Sequence, residues 1–560
     1  MIQRAFRTYF TASATLAAGL VLSGLVVSAP AHAQDSTEPS APATDAPATA
    51  DEPKPAEAAP AEQPAADAAA QADARADADA DVGVKLDTKA AVVTEAATTE
   101  TAAPRPGEPP ARYGNANEWK LVPYGQVKVD AVRDSTQSFF DAQQPYLIAR
   151  PGTYKGEHGR TTMVAKDSRL GLFIGAPQFG AIKSYGKLEV DFFGLAPTDA
   201  KENDLLVMGP IRIRQGFIRM DNPIVDVLFG QTHDLYGWGG YFYPATVAFL
   251  GVPGEIYHRN PQLRLERKFA LGDLEILLAA AAVRPGQRDS GIPDAEGGLK
   301  LAFNGWKGAS MSGFSRPSVV PISIGVSGLY RWFEMPAFRT DPGTQSVKQN
   351  GQGIALSAML PVIPAKSIDD KGNALTLTGE FSTGKGDADM YSGLDGGSRL
   401  PLLPNPSLAA PQPVYPGGID PGLVTFDRAW SLQPINWQAF VAGLQYYLPI
   451  AGGSAWISGV YSQAKSNNIK SLTPQASYGA IFTKMEYIDA SATVAITPAI
   501  QFGVSFQTLK QTFGDVSQPT PFFGTQATNF PAGLPVVQGT GGVAASARNN
   551  RAQVTMAFFF

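Results

Sequence analysis

The chain is 560 residues long, with a formal net charge of −5, no cysteine and four histidines. These counts exclude disulfide frameworks, thiolate metal sites and cysteine nucleophiles, and they leave little material for imidazole catalysis. The 57 glycines and 10% aromatic content suit a soluble protein and equally a large β-barrel, whose lipid-facing and lumen-facing residues average out.

Arg4 and Arg7 form a basic start, residues 12–27 are apolar and small, and Ala31-His32-Ala33 fits a small-x-small cleavage site. Together they predict a secretory signal peptide over residues 1–33, with Gln34 the first mature residue. Residues 34–112 are built from Ala, Pro, Asp, Glu and Thr with almost no large apolar side chain, as in the run from Ala72 to Asp81. Such a segment cannot bury enough surface to offset its ordering entropy, which predicts a disordered periplasmic linker. From Gln34 to Pro110 there are sixteen acidic residues against five basic ones, so residues 111–560 carry a net +4. The acidity belongs to the linker and the body is mildly basic. No later stretch offers the ~18 uninterrupted apolar residues of a membrane helix, so any crossing is made with strands.

From Trp119 onward the pattern is alternation. Val127, Val129 and Ala131 oppose Gln126, Lys128 and Asp130; Leu188, Val190 and Phe192 oppose Lys187, Glu189 and Asp191; Ile211 and Ile213 oppose Arg212 and Arg214. The pattern recurs through residues 319–332, 373–381 and 499–510. Each run approaches the ~9–11 residues of a tilted membrane strand. The expectation is all-β: a transmembrane antiparallel β-barrel of about sixteen strands over residues 113–560, preceded by the disordered N-terminal extension. Strands are expected at 225–231 and 297–303 among others, with long loops at 132–167, 232–260 and 382–435, and short links such as Asp221-Asn222-Pro223 between them. In the last strand Val554, Met556, Phe558 and Phe560 share one face against Arg551, Gln553 and Thr555. Its terminal aromatics, Phe558 and Phe560, resemble the signal by which bacterial outer-membrane barrels are recognised for assembly.

The most distinctive block lies between Asp167 and Arg267. It contains Asp167-Ser-Arg-Leu-Gly171, Gly186-Lys-Leu-Glu-Val-Asp-Phe-Phe-Gly194, Ile211-Arg-Ile-Arg214, Leu228-Phe-Gly-Gln-Thr232 and Arg259-Asn-Pro-Gln-Leu-Arg264. This block resembles the DcaP-like family of trimeric outer-membrane porins. The resemblance is general between residues 300 and 500, and the extension here lacks the heptads that family extensions often carry. It implies a sixteen-stranded, homotrimeric passive channel in the outer membrane, narrowed by an inward-folded third loop. Here that loop would be 232–260, carrying His233, Asp234, Tyr236, Trp238, Glu255 and His258.

Lys128, Arg169, Lys187, Arg212, Arg214 and Arg264 have the parity of the lumen face. Basic side chains in a narrow aqueous pore select anions by attraction and by hydrogen bonds to carboxylate or phosphate oxygens. Asp130, Glu189, Asp191 and Glu266 also point inward, so pairing that braces the wall is the competing reading. The expected partners are small hydrophilic or anionic solutes such as dicarboxylates, outer-membrane lipid and the barrel-assembly machinery; no nucleic acid and no cofactor is expected. Two alternatives stand beside the channel. In an outer-membrane barrel hydrolase, His233-Asp234 would be half of an acid–base dyad, although no companion motif supports it. In an envelope tether, the linker would act as a spacer.

Overall fold

The computed structural model describes residues 118–138, 147–194, 210–248, 251–337, 345–394, 418–427, 429, 431–473, 478–479, 481–514 and 544–560. The expected signal peptide (1–33) and linker (34–112) lie outside the described residues.

The alternation becomes a closed antiparallel sheet. Its strands are β1 (Lys120–Asp134), β2 (Arg160–Val164), β3 (Arg169–Gly175), β4 (Lys183–Asp191), β5 (Arg212–Asp221), β6 (Asp226–His233), β7 (Arg259–Leu271), β8 (Leu274–Val283) and β9 (Asp294–Ser310). They continue as β10 (Ser318–Pro336), β11 (Ser346–Ile363), β12 (Leu375–Lys385), β15 (Asn436–Tyr447), β16 (Ala455–Lys465), β17 (Phe482–Ala495), β18 (Ile500–Phe513) and β19 (Ser546–Phe559). A separate two-stranded ribbon, β13 (Val424–Phe426) with β14 (Leu432–Pro434), sits in the connection between β12 and β15. The large sheet has 17 strands, but β2 and β3 both pair with the same edge of β1, at Asp130–Asp134 and Lys120–Gln126 respectively. They are two halves of one interrupted strand, which makes a barrel of sixteen. The other edge of β1 pairs with β19 from Gln126–Phe559 to Asp134–Arg551 and closes the wall.

Closure pairs the long strands of the wall along both edges, the condition a strand-built wall must meet in hydrocarbon, while among the described residues the short β2 pairs with β1 alone. The side chains divide as the period of two demands. Outside, Val127, Leu188, Ile213, Phe381, Phe440, Met556 and Phe558 are each at least 41% exposed. Inside, Gln126, Lys128, Asp130, Lys187, Glu189 and Arg331 are buried. An apolar outer wall around a polar interior is the arrangement of a barrel that spans a membrane. One end carries the shorter connections, such as 222–225, 272–273 and 496–499, together with the start of β1 and the end of β19; the other end carries the long ones.

Local geometry departs from the simple pattern in four places. The strand expected at 297–303 runs over the 17 residues of β9. Its register against β10 jumps from Phe303–Ile322 to Lys307–Pro321, and the extra residues Asn304-Gly305-Trp306 break the alternation. β9 therefore runs to Ser310, and a turn at 311–317 leads into β10. The stretch 132–167 is not all loop, because it holds β2. β6 extends through Thr232 and His233, and β7 begins at Arg259, so the third long loop spans 234–258. Finally, a bulge in β5 opposite Glu189 and Val190 sets Arg214 and Gln215 both inward. It switches parity, so that Phe217 and Arg219 point inward beyond it.

Candidate functional site

The third loop, 234–258, lies inside the barrel, seated on the wall formed by β9 and β10. Glu296 accepts hydrogen bonds from the amides of Leu235 (2.7 Å) and Tyr236 (3.0 Å), and Ser327 Oγ accepts from the Gly237 amide at 2.8 Å. The Trp238 indole donates to the Val326 carbonyl at 3.1 Å. This seat depends on glycine in the wall: a Cβ on Gly298 or Gly325 would fall 2.7 or 2.6 Å from the Trp238 ring. Gly237 has φ +75°, a left-handed conformation that turns the chain down onto the seat.

From there the loop crosses the lumen. Ala245 bridges to Gly313 in the 311–317 turn, Thr246 Oγ1 donates to Asp489 on β17 at 3.1 Å, and Gln553 on β19 donates to the Val247 carbonyl at 3.0 Å. On the return, Ser462 of β16 donates to the Pro253 carbonyl, the Ile256 amide donates to Glu380 of β12 at 2.9 Å, and Ile256 bridges to Tyr391. Tyr236 donates to Asp387 at 3.4 Å. Leu235, Tyr236, Val247, Val252 and Ile256 are at most 1% exposed. At its base His258 Nδ1 lies 2.8 Å from Asp234 Oδ2, and Asn260 donates to the same oxygen at 3.1 Å. Burial works against protonation of His258, but the Asp234 hydrogen bond and charge outweigh it and raise the imidazole above its ordinary value.

The wall of β1, β3, β4 and β5 gathers the predicted cations, each held by a carboxylate. Lys128 Nζ is 2.8 Å from Asp167 and 3.4 Å from Asp130; Arg169 is 2.8 Å from the other Asp167 oxygen. Lys187 lies 3.7 Å from Glu189 and above the Tyr124 and Phe173 rings. Arg212 grips Asp191 with two bonds of 3.0 and 2.7 Å. Arg214 donates to Glu189 and Asp191, both at 2.9 Å, and to the Tyr257 hydroxyl at 3.1 Å. Arg264 stands apart on β7, donating to Gln262 at 2.8 Å and reaching Glu266 at 3.5 Å. The arrangement therefore both braces the wall and concentrates charge there.

Between this wall, the loop and the 311–317 turn lies a cavity of about 450 Å3. Its charged lining comprises Arg169, Lys187, Arg214 and Arg316 against Asp167, Glu189 and Glu255. Burial, reinforced by nearby Glu380, pushes the Glu255 carboxyl well above the usual carboxylate range, which weakens its charge in the lining. The cavity is thus net basic.

Three residues important to this geometry were not singled out from the sequence. Arg259 stacks 5.3 Å from the Tyr257 ring and donates to its hydroxyl at 3.4 Å, and it makes no ion pair among the described residues. Its outward strand parity gives no pointer inward; the bend into the loop brings it there. Tyr257 and Arg316 lie in connections, where no periodicity speaks for them, and Arg316 also makes no ion pair among the described residues. The His233-Asp234 neighbours do not form a dyad: Asp234 engages His258, while His233 sits edge-on to Tyr243 and Tyr257. Among the described residues no group of three or more His, Asp or Glu could hold a metal ion. Phe558 and Phe560 sit on the outer wall, each about half exposed.

No family model matches the chain, and no curated protein matches it in sequence. Among solved structures, the outer membrane channel DcaP of Acinetobacter baumannii is similar with a TM-score of 0.52 at 17% identity, over 79% of this chain and 97% of that one. The fold is that of an outer-membrane porin. An anion-selective porin from Comamonas acidovorans has a TM-score of 0.43 and 13% identity, over 79% of this chain and 100% of that one. At that score the second likeness carries no functional weight.

Proposed function

We propose that the protein is a passive diffusion channel of a bacterial outer membrane. It passes small hydrophilic solutes and favours anions such as dicarboxylates, with loop 234–258 as its constriction. The observation that carries the reading is that loop, tied across the lumen beside a net basic cavity. An anion passing through meets Arg259 at the base of the loop and Arg316 at the 311–317 turn, with the paired cations of β3–β5 between them. Unpaired guanidinium groups replace part of the anion's hydration by charge-assisted hydrogen bonds. The paired cations add field without a deep trap, which keeps binding weak enough for release. The likeness to a channel of the same fold supports this reading.

The rest of the chain fits the same proposal. Residues 1–33 direct export and are removed, 34–112 form a periplasmic spacer, Phe558 and Phe560 present the assembly signal, and three copies associate. The test is single-channel recording of the purified protein in a planar bilayer under a salt gradient. Expected are ohmic steps in threes with an anion-favouring reversal potential, moved toward zero in the double variant Arg259→Gln/Arg316→Gln. Folded protein that passes no current would overturn the channel, and an unmoved reversal potential would overturn the role of the two arginines.

A further inference from the structure

On the outer wall, near the end that carries the long loops, β11, β12, β15 and β16 enclose a second groove of about 450 Å3, facing away from the lumen. Strand register sets its floor. Gln352, Lys385 and Asn436 align across β11, β12 and β15, and the next row is Ile354, Thr383, Gln438 and Lys465. One row nearer the barrel's middle, Leu356, Phe381 and Phe440 align in the same way and are 50%, 41% and 44% exposed. A band of ammonium, amide and hydroxyl groups therefore borders an apolar belt on the same face. Neither Lys385 nor Lys465 makes an ion pair among the described residues, whereas the neighbouring Lys484 is met by Glu486 at 2.8 Å. Positive charge continues around the rim in Lys510 and Arg548, aligned on β18 and β19 and facing outward.

Uncompensated cations at the boundary between hydrocarbon and water attract an anion, and charge at a membrane surface acts strongly there. An apolar belt directly below selects an anion that carries a hydrocarbon chain. We propose that this groove seats the phosphorylated headgroup of an outer-leaflet lipid. The phosphate oxygens accept hydrogen bonds from Lys385 and Lys465, the amides of Gln352, Asn436 and Gln438 hold neighbouring headgroup oxygens, and an acyl chain lies on Leu356, Phe381 and Phe440. The proposal rests on the outer-membrane reading for which end of the barrel is external.

The test counts lipids bound to the purified full-length protein by native mass spectrometry. Bisphosphorylated lipid A, dephosphorylated lipid A and inorganic phosphate are offered separately to wild type and to Lys385→Gln/Lys465→Gln. Both lysines are on the surface, and heat-modifiable gel mobility verifies that the variant barrel is folded. Expected is retention of bisphosphorylated lipid A by wild type, at least tenfold weaker binding by the variant, and comparably weak binding of the dephosphorylated lipid. Equal binding by variant and wild type, or of both lipids, overturns the site. Competition by submillimolar phosphate overturns the lipid in favour of a plain anion site. Binding by dissociated monomers but not by the assembled protein overturns it in favour of a second copy covering the groove. Conductance in bilayers free of phosphoglycolipid is expected to be the same in wild type and variant. A wild type that binds the lipid yet passes no current would overturn the channel and leave the lipid site standing.

Discussion

Replacing Trp238 by alanine should loosen the loop while leaving the barrel closed. The indole is 6% exposed, packs on Gly298 and Gly325 and donates to Val326 O at 3.1 Å. Truncating a buried Trp costs about 3–5 kcal/mol through lost transfer energy and the cavity left behind. The indole hydrogen bond is worth about 1 kcal/mol net within such totals. The remaining ties of the first turn are the Leu235 and Tyr236 amides on Glu296, the Gly237 amide on Ser327 and the Tyr236 hydroxyl on Asp387. Because about 1.4 kcal/mol is a factor of ten, the seated state should lose roughly two to three orders of magnitude against a lifted one. None of the strand pairings involves Trp238, so heat-modifiable gel mobility should stay that of a folded barrel. Single-channel recording should then show greater open-channel noise and a larger mean conductance. A folded variant with wild-type noise and conductance would refute the constriction or the role of Trp238 as its anchor.

The charged wall yields further expected outcomes. Asp191→Asn removes the carboxylate shared by Arg212 and Arg214. Stripping one partner from a buried ion pair costs about 3–5 kcal/mol, so thermal denaturation should move lower while the reversal potential becomes more anion-favouring; a potential that moves the other way would contradict the assignment. Tyr257 supplies a pH dependence. Burial resists ionisation of its phenol, but Arg214, Arg259 and Arg169 overcome that and bring it down to about 7. Raising pH through that value adds negative charge beside Arg214 and Arg259, so anion preference should decline from acid to alkaline across neutrality. In Tyr257→Phe that decline should shrink over the same range, and an undiminished slope would assign the titration to another group.

The barrel was legible because a wall with lipid on one face and water on the other writes itself into every second residue. Val127 against Lys128 and Phe558 against Thr555 are read correctly by parity alone, and so is the inward placement of Arg212 and Arg214. Parity fails where the backbone gains residues. The bulge in β5 turns Arg219 inward toward Asp221, Asp226 and Glu266, and the insertion at Asn304-Gly305-Trp306 hides nearly half of β9. Inside the lumen, sequence names the charged residues but not their pairings. That Arg212 shares Asp191 with Arg214 follows from cross-strand register, and register depends on the bulge. Loop 234–258 is recognisable by its glycines and aromatics, whereas its seat rests on Glu296, Ser327 and Glu380, which lie far along the chain and have nothing local to mark them.

The ties of that loop also order events in time. Val247 is held by Gln553, and Thr246 by Asp489, so the far half of the loop docks on β17 and β19, which lie at the end of the chain. Gln553 itself lies on the strand that zips to β1, opposite Val132. Contacts so distant in sequence form late, after loop closure has been achieved by the wall. In the channel proposed above, the bore would therefore narrow only as the seam shuts, which would make a restricted pore a mark of a finished barrel.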